Sequence, residues 1–445
     1  MRQWMVAAKK ADFYAIAEKF HVDPVVARII RNREVIGEKN IRIYLGGNLS
    51  DLSDPHQMKD MDRLVEILAQ KIRKQVHIRI IGDYDVDGVT SSHLFLTALR
   101  RVGAKVDVVI PHRIQDGYGL SLHLLQQAKE DGVDTILTCD NGIAAIDEIA
   151  WAKAQKMTVL VTDHHAVPFE EHEGRRTEKK SLADAVVNPH QQDCRYPYKE
   201  LCGAGVAWNV IRVLYENYDM DKREAEDLLD FVAMATVCDV MSLTGENRIL
   251  VKEGLKRIRH TKNIGLQALM QACNVQPENI SAYHFGYVLG PCVNATGRLD
   301  TARHALRLFE TGQETEAEEI ARDLVDLNQE RKELTLQGVE MAKKLCEEGG
   351  YENDPVLVLF LPDVHESIAG LIAGRIREMY NRPVFVLTRG EEGVKGSGRS
   401  TENYSMYENM CGCAELFTKF GGHPMAAGLS LPTENIDLFR AKLNR

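Results

Sequence analysis

Four acidic clusters stand out along the 445 residues: Asp83-Tyr84-Asp85-Val86-Asp87-Gly88, Cys139-Asp140-Asn141-Gly142, Asp163-His164-His165 and Cys238-Asp239. The first three each follow a short apolar run: Ile78-Arg79-Ile80-Ile81, Thr135-Ile136-Leu137-Thr138 and Thr158-Val159-Leu160-Val161-Thr162. Short runs rich in β-branched residues predict buried strands. In an open α/β sheet, ligands bind at the carboxyl ends of the strands. Three parallel strands that end in Asp would gather their carboxylates at one edge. So many carboxylates share a cleft only where cations offset their repulsion. The expected chemistry is therefore a site for two divalent metals. Two such ions, about 3.5–4 Å apart, are a device for hydrolysing phosphate esters. Asp140, on a strand of its own, is a candidate bridge between them.

Each cluster also has a duller reading. Asp83-x-Asp85-x-Asp87-Gly88 matches the first half of an EF-hand loop, whose twelfth position must be a bidentate Glu. That position is Leu94, and the preceding segment reads as a strand, so a calcium loop is rejected. A lone Asp after a strand is most often a helix N-cap, and Asp140 and Asp163 are open to that reading. Two adjacent imidazoles after a strand predict rings on opposite sides, one toward metal and one toward substrate or solvent. Neutral imidazole with several carboxylates suits manganese, magnesium, iron or cobalt better than a thiolate-loving metal. Cys139 and Cys238 read as small buried fillers.

The elements that must position these groups alternate from Val76 onward. The pattern predicts strand 76–82, helix 88–102, strand 105–110, loop 111–120, helix 121–130, strand 134–139, helix 143–155 and strand 157–162. Alternation of this kind predicts an α/β fold with a parallel sheet built by right-handed crossovers. Upstream, residues 12–72 read as helical and amphipathic, with Asp54-Pro55 as a break. The charged stretch 168–182 predicts an exposed insertion. Residues from Glu200 to about Glu348 read as helical, and 313–347 predict one long helix joining two domains. Residues 354–445 predict a second, smaller α/β domain, with strands at 356–360 and 384–387, helix 367–380 and a Gly-rich run at 395–400. The expected division is a helical extension 1–72, a catalytic domain 73–310, a connecting helix 311–350 and a final domain 351–445.

The length suits about two to three domains. A net charge of −10 gives no global basic field for nucleic acid. That total counts the site's carboxylates without their cations. The N-terminus carries no signal-peptide core. No apolar run approaches a membrane span, so no membrane partner is expected. The nine cysteines form no pair of C-x-x-C knuckles, which argues against structural zinc. Free cysteines without a secretion signal fit a reducing cytoplasm.

Taken in order, Asp83 through Ser91, Asp140-Asn141-Gly142, Asp163-His164-His165 and Asp239 resemble the four motifs of the DHH phosphoesterase superfamily. Within it the chain is similar to the RecJ family of single-strand-specific 5′→3′ exonucleases. The likeness takes in Asn32-Arg33, Asp54-Pro55, Ile110-Pro111-His112-Arg113, Gly117-Tyr118-Gly119-Leu120, Gly203-Ala204-Gly205-Val206-Ala207 and Asn294-Ala295-Thr296-Gly297-Arg298. It ends on Gly421-Gly422-His423-Pro424-Met425-Ala426-Ala427-Gly428, which resembles the DHH-associated domain that in this family closes over the catalytic cleft.

The resemblance implies roles. Asp83, Asp85 and Asp87 fall in the first metal motif, Asp-x-Asp being the superfamily's common element. Asp140 would bridge the metals, His164 would ligate one, and Asp239 would complete the shell. His165 would contact the scissile phosphate or assist proton transfer, and Asp163 would orient the histidines. Two divalent ions are implied, manganese first and magnesium second. The implied substrate is single-stranded DNA with a 5′ end, cut to 5′-mononucleotides in DNA repair and recombination. A monomer is expected, with single-strand-binding protein as a partner. Relatives commonly continue into an OB-fold that grips single strands. The sequence given ends at Arg445.

Arg113 and the run Ser397-Gly398-Arg399 are candidates for a 5′-phosphate pocket, since Arg forks bind phosphate bidentately and Gly-flanked backbone can approach an anion. Asn294 and Arg298 read as a turn beside Gly297, where Arg298 could hold a backbone phosphate. His423 reads as part of a Gly/Ala-rich turn open to substrate. Tyr118 could stack on a base. The duller readings are a surface arginine, a structural histidine and a packing tyrosine. His93, His112 and His123 read as structural. A pocket for a terminal phosphate would set polarity and exonucleolysis together, and a narrow passage between domains would exclude duplex. Two other functions compete. A DHH phosphodiesterase of short oligonucleotides or cyclic dinucleotides would not be expected to carry the N-terminal extension, the Arg113 loop and the Asn294/Arg298 element together. A catalytically inactive scaffold would have lost metal ligands, and here all are present.

Overall fold

The computed structural model describes residues 5, 9–113, 116–117, 119–172, 175–390 and 393–445. The chain divides into two units, Met1–Val325 and Asp326–Arg445, with the division falling inside the helix Glu314–Glu348.

The first unit is built on a parallel sheet. Its strands are β1 (Ile78–Ile81), β2 (Val106–Val109), β3 (Thr135–Cys139) and β4 (Thr158–Thr162), joined by β7 (Ala185–Val187). They lie in the order β2-β1-β3-β4-β7, every pair parallel. β1 and β3 are buried throughout, as their continuous apolar runs require in a sheet covered on both faces. The chain passes from β1 outward to β2 and then returns to β3, so the strand order reverses between β1 and β3. A crevice opens at such a reversal, outside the carboxyl ends of the strands. The first two acidic clusters follow β1 and β3.

Several expected elements take a different form. The helix expected at 88–102 runs from Val86 to Arg101, because Asp85 caps it by accepting from the Gly88 amide at 3.0 Å. Asp87 therefore sits on the first helical turn. The stretch 12–72 is helical as expected, with Asp54-Pro55 lying in a gap between α-helices, but it has further breaks. It breaks into helices Phe13–Phe20, Pro24–Asn32, Glu38–Gly46 and Met61–Arg73, with left-handed backbone at His21 and Gly37 marking two of the breaks. The helix Met61–Arg73 buries Met61, Leu64, Val65, Leu68, Ala69 and Ile72 against the helix Gly203–Asn217 and β7. The insertion at 168–182 contains an antiparallel hairpin, β5 (Phe169–His172) with β6 (Arg175–Glu178). Asn294 and Arg298 lie on a helix, Gly290–Leu299, and not in a turn. Gly297 is needed there for space, since a Cβ would stand 2.4 Å from the Tyr84 carbonyl oxygen.

The second unit is a mixed five-stranded sheet, ordered β11-β12-β10-β9-β8. Its strands are β8 (Leu357–Phe360), β9 (Val384–Arg389), β10 (Val394–Arg399), β11 (Lys419–His423) and β12 (Ala426–Leu431). β8 and β9 are parallel and the other pairs antiparallel, with the helix Glu366–Tyr380 packed on β9 and β10. Most of the Gly-rich run at 395–400 forms the central strand β10. Gly396 and Gly398 are small because Leu387 and Phe385 of β9 cover them, at 2.4 and 2.8 Å from a hypothetical Cβ. His423 closes β11 opposite Ala426 and is a strand residue. Among the described residues no helix is long and apolar enough to cross a membrane.

Candidate metal centre

Asp140 directly follows β3 and is held at φ +60°, the left-handed region that an L-residue rarely adopts. It is not a helix cap, since the next helix begins at Ile146 behind Ala145. The turn that holds it is built by its neighbours. Asn141 Nδ2 donates to the carbonyls of Ile81 (3.0 Å) and Cys139 (2.8 Å), tying the end of β3 to the end of β1. Thr138 Oγ1 donates to the Asn141 carbonyl at 2.8 Å. Across the crevice, Gly203 opens the helix Gly203–Asn217, and a Cβ there would lie 2.6 Å from Asp140 Cβ. The amides of Gly203 and Ala204 donate to Asp87 Oδ2 and Oδ1 at 2.6 and 2.7 Å. A helix N-terminus thus faces a carboxylate, where its dipole favours negative charge.

The histidines follow β4. His164 Nε2 lies 3.1 Å from Asp140 Oδ1 and 3.7 Å from both Asp87 Oδ2 and Asp239 Oδ2. His165 Nδ1 lies 2.7 Å from Asp163 Oδ1. The two rings do not point to opposite sides. Their centroids are 4.4 Å apart, because the chain has left the strand and its alternation at Thr162. Asp163 also accepts from the amides of His164 (2.7 Å), His165 (3.0 Å) and Ile143 (2.9 Å). Asp239 arrives from elsewhere, at the end of the helix Leu229–Cys238.

Three overlapping groups could hold cations: Asp83, Asp85 and Asp140; Asp87, His164 and Asp239; and Asp140, His164 and His165. In each, the ligand atoms lie within 4.8 Å of one another. Asp140 and His164 are shared between groups. Burial and the neighbouring Asp85 charge push the Asp83 carboxyl well above the usual carboxylate range. Burial and Asp87, Asp85, Asp83 and Asp163 do the same to Asp140. Burial and Asp87 raise Asp85. Burial with Asp87 and Asp85 lifts Asp239 to about 8. Burial lowers His164. Burial also opposes charge on His165, but its bond to Asp163 and the charges of Asp163, Asp87 and Asp239 prevail and raise it to about 9. Asp83 Oδ1 and Asp239 Oδ2 are buried with no hydrogen-bond partner. Buried acceptors left unpaired are costly, and a cation would satisfy both. Carboxylate oxygens with imidazole nitrogen match a hard or borderline divalent ion, so the residues present fit such a group.

Arg113 and Arg298 flank one residue, Tyr84, in the first motif. The Arg113 guanidinium lies over its ring at 4.7 Å, and burial raises the Tyr84 hydroxyl against the opposing charges of Arg113 and Arg298. Asn294 Oδ1 accepts from the Val86 amide at 3.2 Å and so braces the first motif itself. Tyr118 lies outside the described residues. In the second unit, Ser397 and Arg399 lie on β10 and His423 on β11, with β12 between them. Arg399 Nη1 donates to the Gly398 carbonyl at 2.7 Å. Sequence reasoning assigned no role to Asn141, to the Gly203 and Ala204 amides, or to Asn188, whose Nδ2 donates to the His165 carbonyl at 2.9 Å. The small-residue run at 203–207, which opens the helix Gly203–Asn217, was the one available signal.

The class follows from sheet and site together. The sequence model described as "DHH family, N-terminal domain" matches residues 77–236, and that of the DHHA1 domain matches residues 353–445. The chain belongs to the RecJ family of that class. It is 35% identical over 440 residues to the single-stranded-DNA-specific exonuclease RecJ of Haemophilus influenzae, covering 95% of this chain and 74% of the relative. It is 34% identical to that of Bacillus subtilis, covering 97% of this chain but 53% of the relative. The crystal structure of Thermus thermophilus RecJ in complex with Mn2+ matches at TM-score 0.81 and 29% identity, covering 97% of this chain and 60% of that one. A manganese-bound exonuclease RecJ matches at TM-score 0.75 and 31% identity, covering 87% of this chain and 94% of that one.

Proposed function

We propose that this chain is a metal-dependent 5′→3′ exonuclease that hydrolyses single-stranded DNA to 5′-mononucleotides, in DNA repair and recombination. The observation that carries this reading is the set of overlapping Asp/His groups at the sheet's carboxyl edge, linked through Asp140 and His164. Asp83, Asp85 and Asp140 would hold one divalent ion, and Asp87, His164 and Asp239 the other, with Asp140 reaching both. Manganese is the first choice and magnesium the second, as related RecJ crystals contain either. Two such ions, when bound, make water a nucleophile at neutral pH and neutralise charge on the phosphoryl oxygens.

The chain's own residues do the rest. Asp163 holds Nδ1 of His165, and Nε2 of that ring would donate to an oxygen of the scissile phosphate. The same Asp163 fixes the backbone of both histidines, so their placement costs no reorganisation during reaction. The Gly203 and Ala204 amides hold the Asp87 carboxylate in place. Arg113 and Arg298, beside Tyr84, would take substrate phosphates. Within the second unit, Ser397, Arg399 and His423 would add phosphate contacts. A monomer acting in the cytoplasm, with single-strand-binding protein as partner, completes the proposal.

The test is an oligonucleotide labelled at either end, with manganese or with chelator, beside a duplex and a dinucleotide. Stepwise loss from the 5′ end of the single strand, only with metal, is expected. Cleavage confined to the dinucleotide would instead indicate a small-substrate phosphodiesterase. Binding without cleavage would indicate a scaffold.

A further inference from the structure

The segment that follows Ser281 carries an exposed feature that the metal centre does not use. Residues 282–299 are helical, and the stretch Phe285–Leu289 is wound as a π-helix. Such bulges recur at functional sites. Two tyrosines of the segment 282–299, Tyr283 just before the π-helical stretch and Tyr287 within it, are exposed. Tyr283 is 63% exposed and Tyr287 is 73% exposed. Their rings stack on each other, with centroids 5.1 Å apart and planes inclined by 25°. His284 meets Tyr283 edge-on at 5.7 Å, and its Nδ1 is anchored by Ser281 Oγ at 3.0 Å. Two large exposed rings are thus held in one orientation before any ligand arrives.

The inner face of the same segment touches both ends of the metal centre. Cys238, the residue before Asp239, has its Sγ 3.3 Å from the Phe285 carbonyl oxygen. Gly290 packs so tightly on Cys238 that a Cβ would stand 2.3 Å from Sγ. Further along, Asn294 braces Val86, between Asp85 and Asp87. Val240, just after Asp239, is 87% exposed at φ +57°. A β-branched residue in that conformation is a genuine outlier, and backbone strain of this kind clusters at ligand sites. The exposed rings are therefore tied to the metal centre through one helix.

We propose that Tyr283 and Tyr287 form a stacking platform for bases of the single strand on the 3′ side of the scissile phosphodiester. This rests on the exonuclease reading above, in which the strand leaving the site is the 3′ portion of the substrate. Every base has a π-face, so such a platform holds a strand without reading its sequence. A duplex keeps its bases stacked inside and offers the platform nothing. The two rings thus contribute to single-strand preference. As a plain surface pair at i and i+4 they would only stabilise the helix slightly.

The test uses the full chain with manganese and a single strand of about twenty nucleotides. Base stacking on an aromatic residue is worth about 1–3 kcal/mol, so Tyr283→Ala/Tyr287→Ala should raise KM at least about fivefold. kcat should fall by less than KM rises. Tyr283→Phe/Tyr287→Phe should restore KM, because the rings remain. An abasic residue walked along the strand should weaken wild-type binding at one or two positions, and the alanine variant should lose that dependence. If the wild type hydrolyses no single strand, the exonuclease reading fails. If the wild type hydrolyses it and the alanine variant keeps wild-type KM and the same abasic profile, the platform alone is overturned. A loss of melting temperature with both KM values equal would mark the pair as structural and also overturn it.

Discussion

Asp140 shows how much a single residue must endure to serve this site. It is buried, sits at φ +60° and faces the charges of Asp87, Asp85, Asp83 and Asp163. Asn tolerates the left-handed conformation and is isosteric, so Asp140→Asn removes the charge and little else. Hydrolysis should fall by at least about a hundredfold. The metal-free variant should melt no lower than the metal-free wild type, because repulsion has been relieved. Turnover assays and thermal melts check both halves, and near-normal turnover would remove Asp140 from the reaction. The carboxylates were legible in sequence because side-chain charge at strand ends is visible in the letters. The amides of Gly203 and Ala204 were not, since backbone donors carry no side-chain signal and their partner, Asp87, lies far away in the chain. The paired orientation of His164 and His165 was misjudged because strand alternation was carried past the last strand residue.

Helix ends do much of the positioning. Gly203 lets the helix Gly203–Asn217 approach Asp140 closely, and Gly203→Ala would put a Cβ 2.6 Å from Asp140 Cβ. Overpacking of that kind costs about 1–3 kcal/mol. Denaturant melts should show the loss, and activity should fall further than stability, since Asp140 itself must move. Wild-type activity in the variant would mean that the helix end plays no part in placing Asp140.

The helix Leu229–Cys238, which leads into Asp239, contains a buried acid, Asp230. Asp230 accepts from Thr261 Oγ1 at 2.7 Å and from the Phe231 amide at 2.8 Å, and burial raises its pKa to about 6. A carboxyl raised in the folded state binds its proton more tightly there than when unfolded. It therefore costs stability as pH rises from about 4 to about 6, and the full cost persists above. Asp230→Asn should be more stable than wild type at pH 7.5 by on the order of 1–3 kcal/mol. The difference should close near pH 4. Melts across that range check it, and a constant difference would contradict it.

Elements with long periodic runs were legible: the four strands β1 to β4, the helix Glu366–Tyr380 and the helix Glu314–Glu348. β7 was not, because three residues carry no periodicity. β10 was not legible as a strand, because Gly396 and Gly398 normally weaken one. Here the large side chains of β9 fill their space.

At the scale of the whole molecule, metal binding and stability are linked. The first unit folds around carboxylates that repel one another, so divalent cations should stabilise it as well as activate it. Manganese at about a hundred times its dissociation constant adds about 2.7 kcal/mol per site. The melting temperature should rise by a few degrees with manganese and return with chelator. An unchanged melt would mean that the folded state does not bind the ion more tightly than the unfolded chain. The overall architecture was read correctly as a parallel-sheet domain followed by a smaller α/β domain, because alternation of strand and helix survives in the pattern of letters.

The most direct test of the account is a count of manganese ions bound per chain, by calorimetry on protein stripped with chelator. The account predicts two per chain, with fewer in Asp140→Asn. No binding at millimolar manganese, or equal binding in the variant, would contradict a two-metal centre built on Asp140.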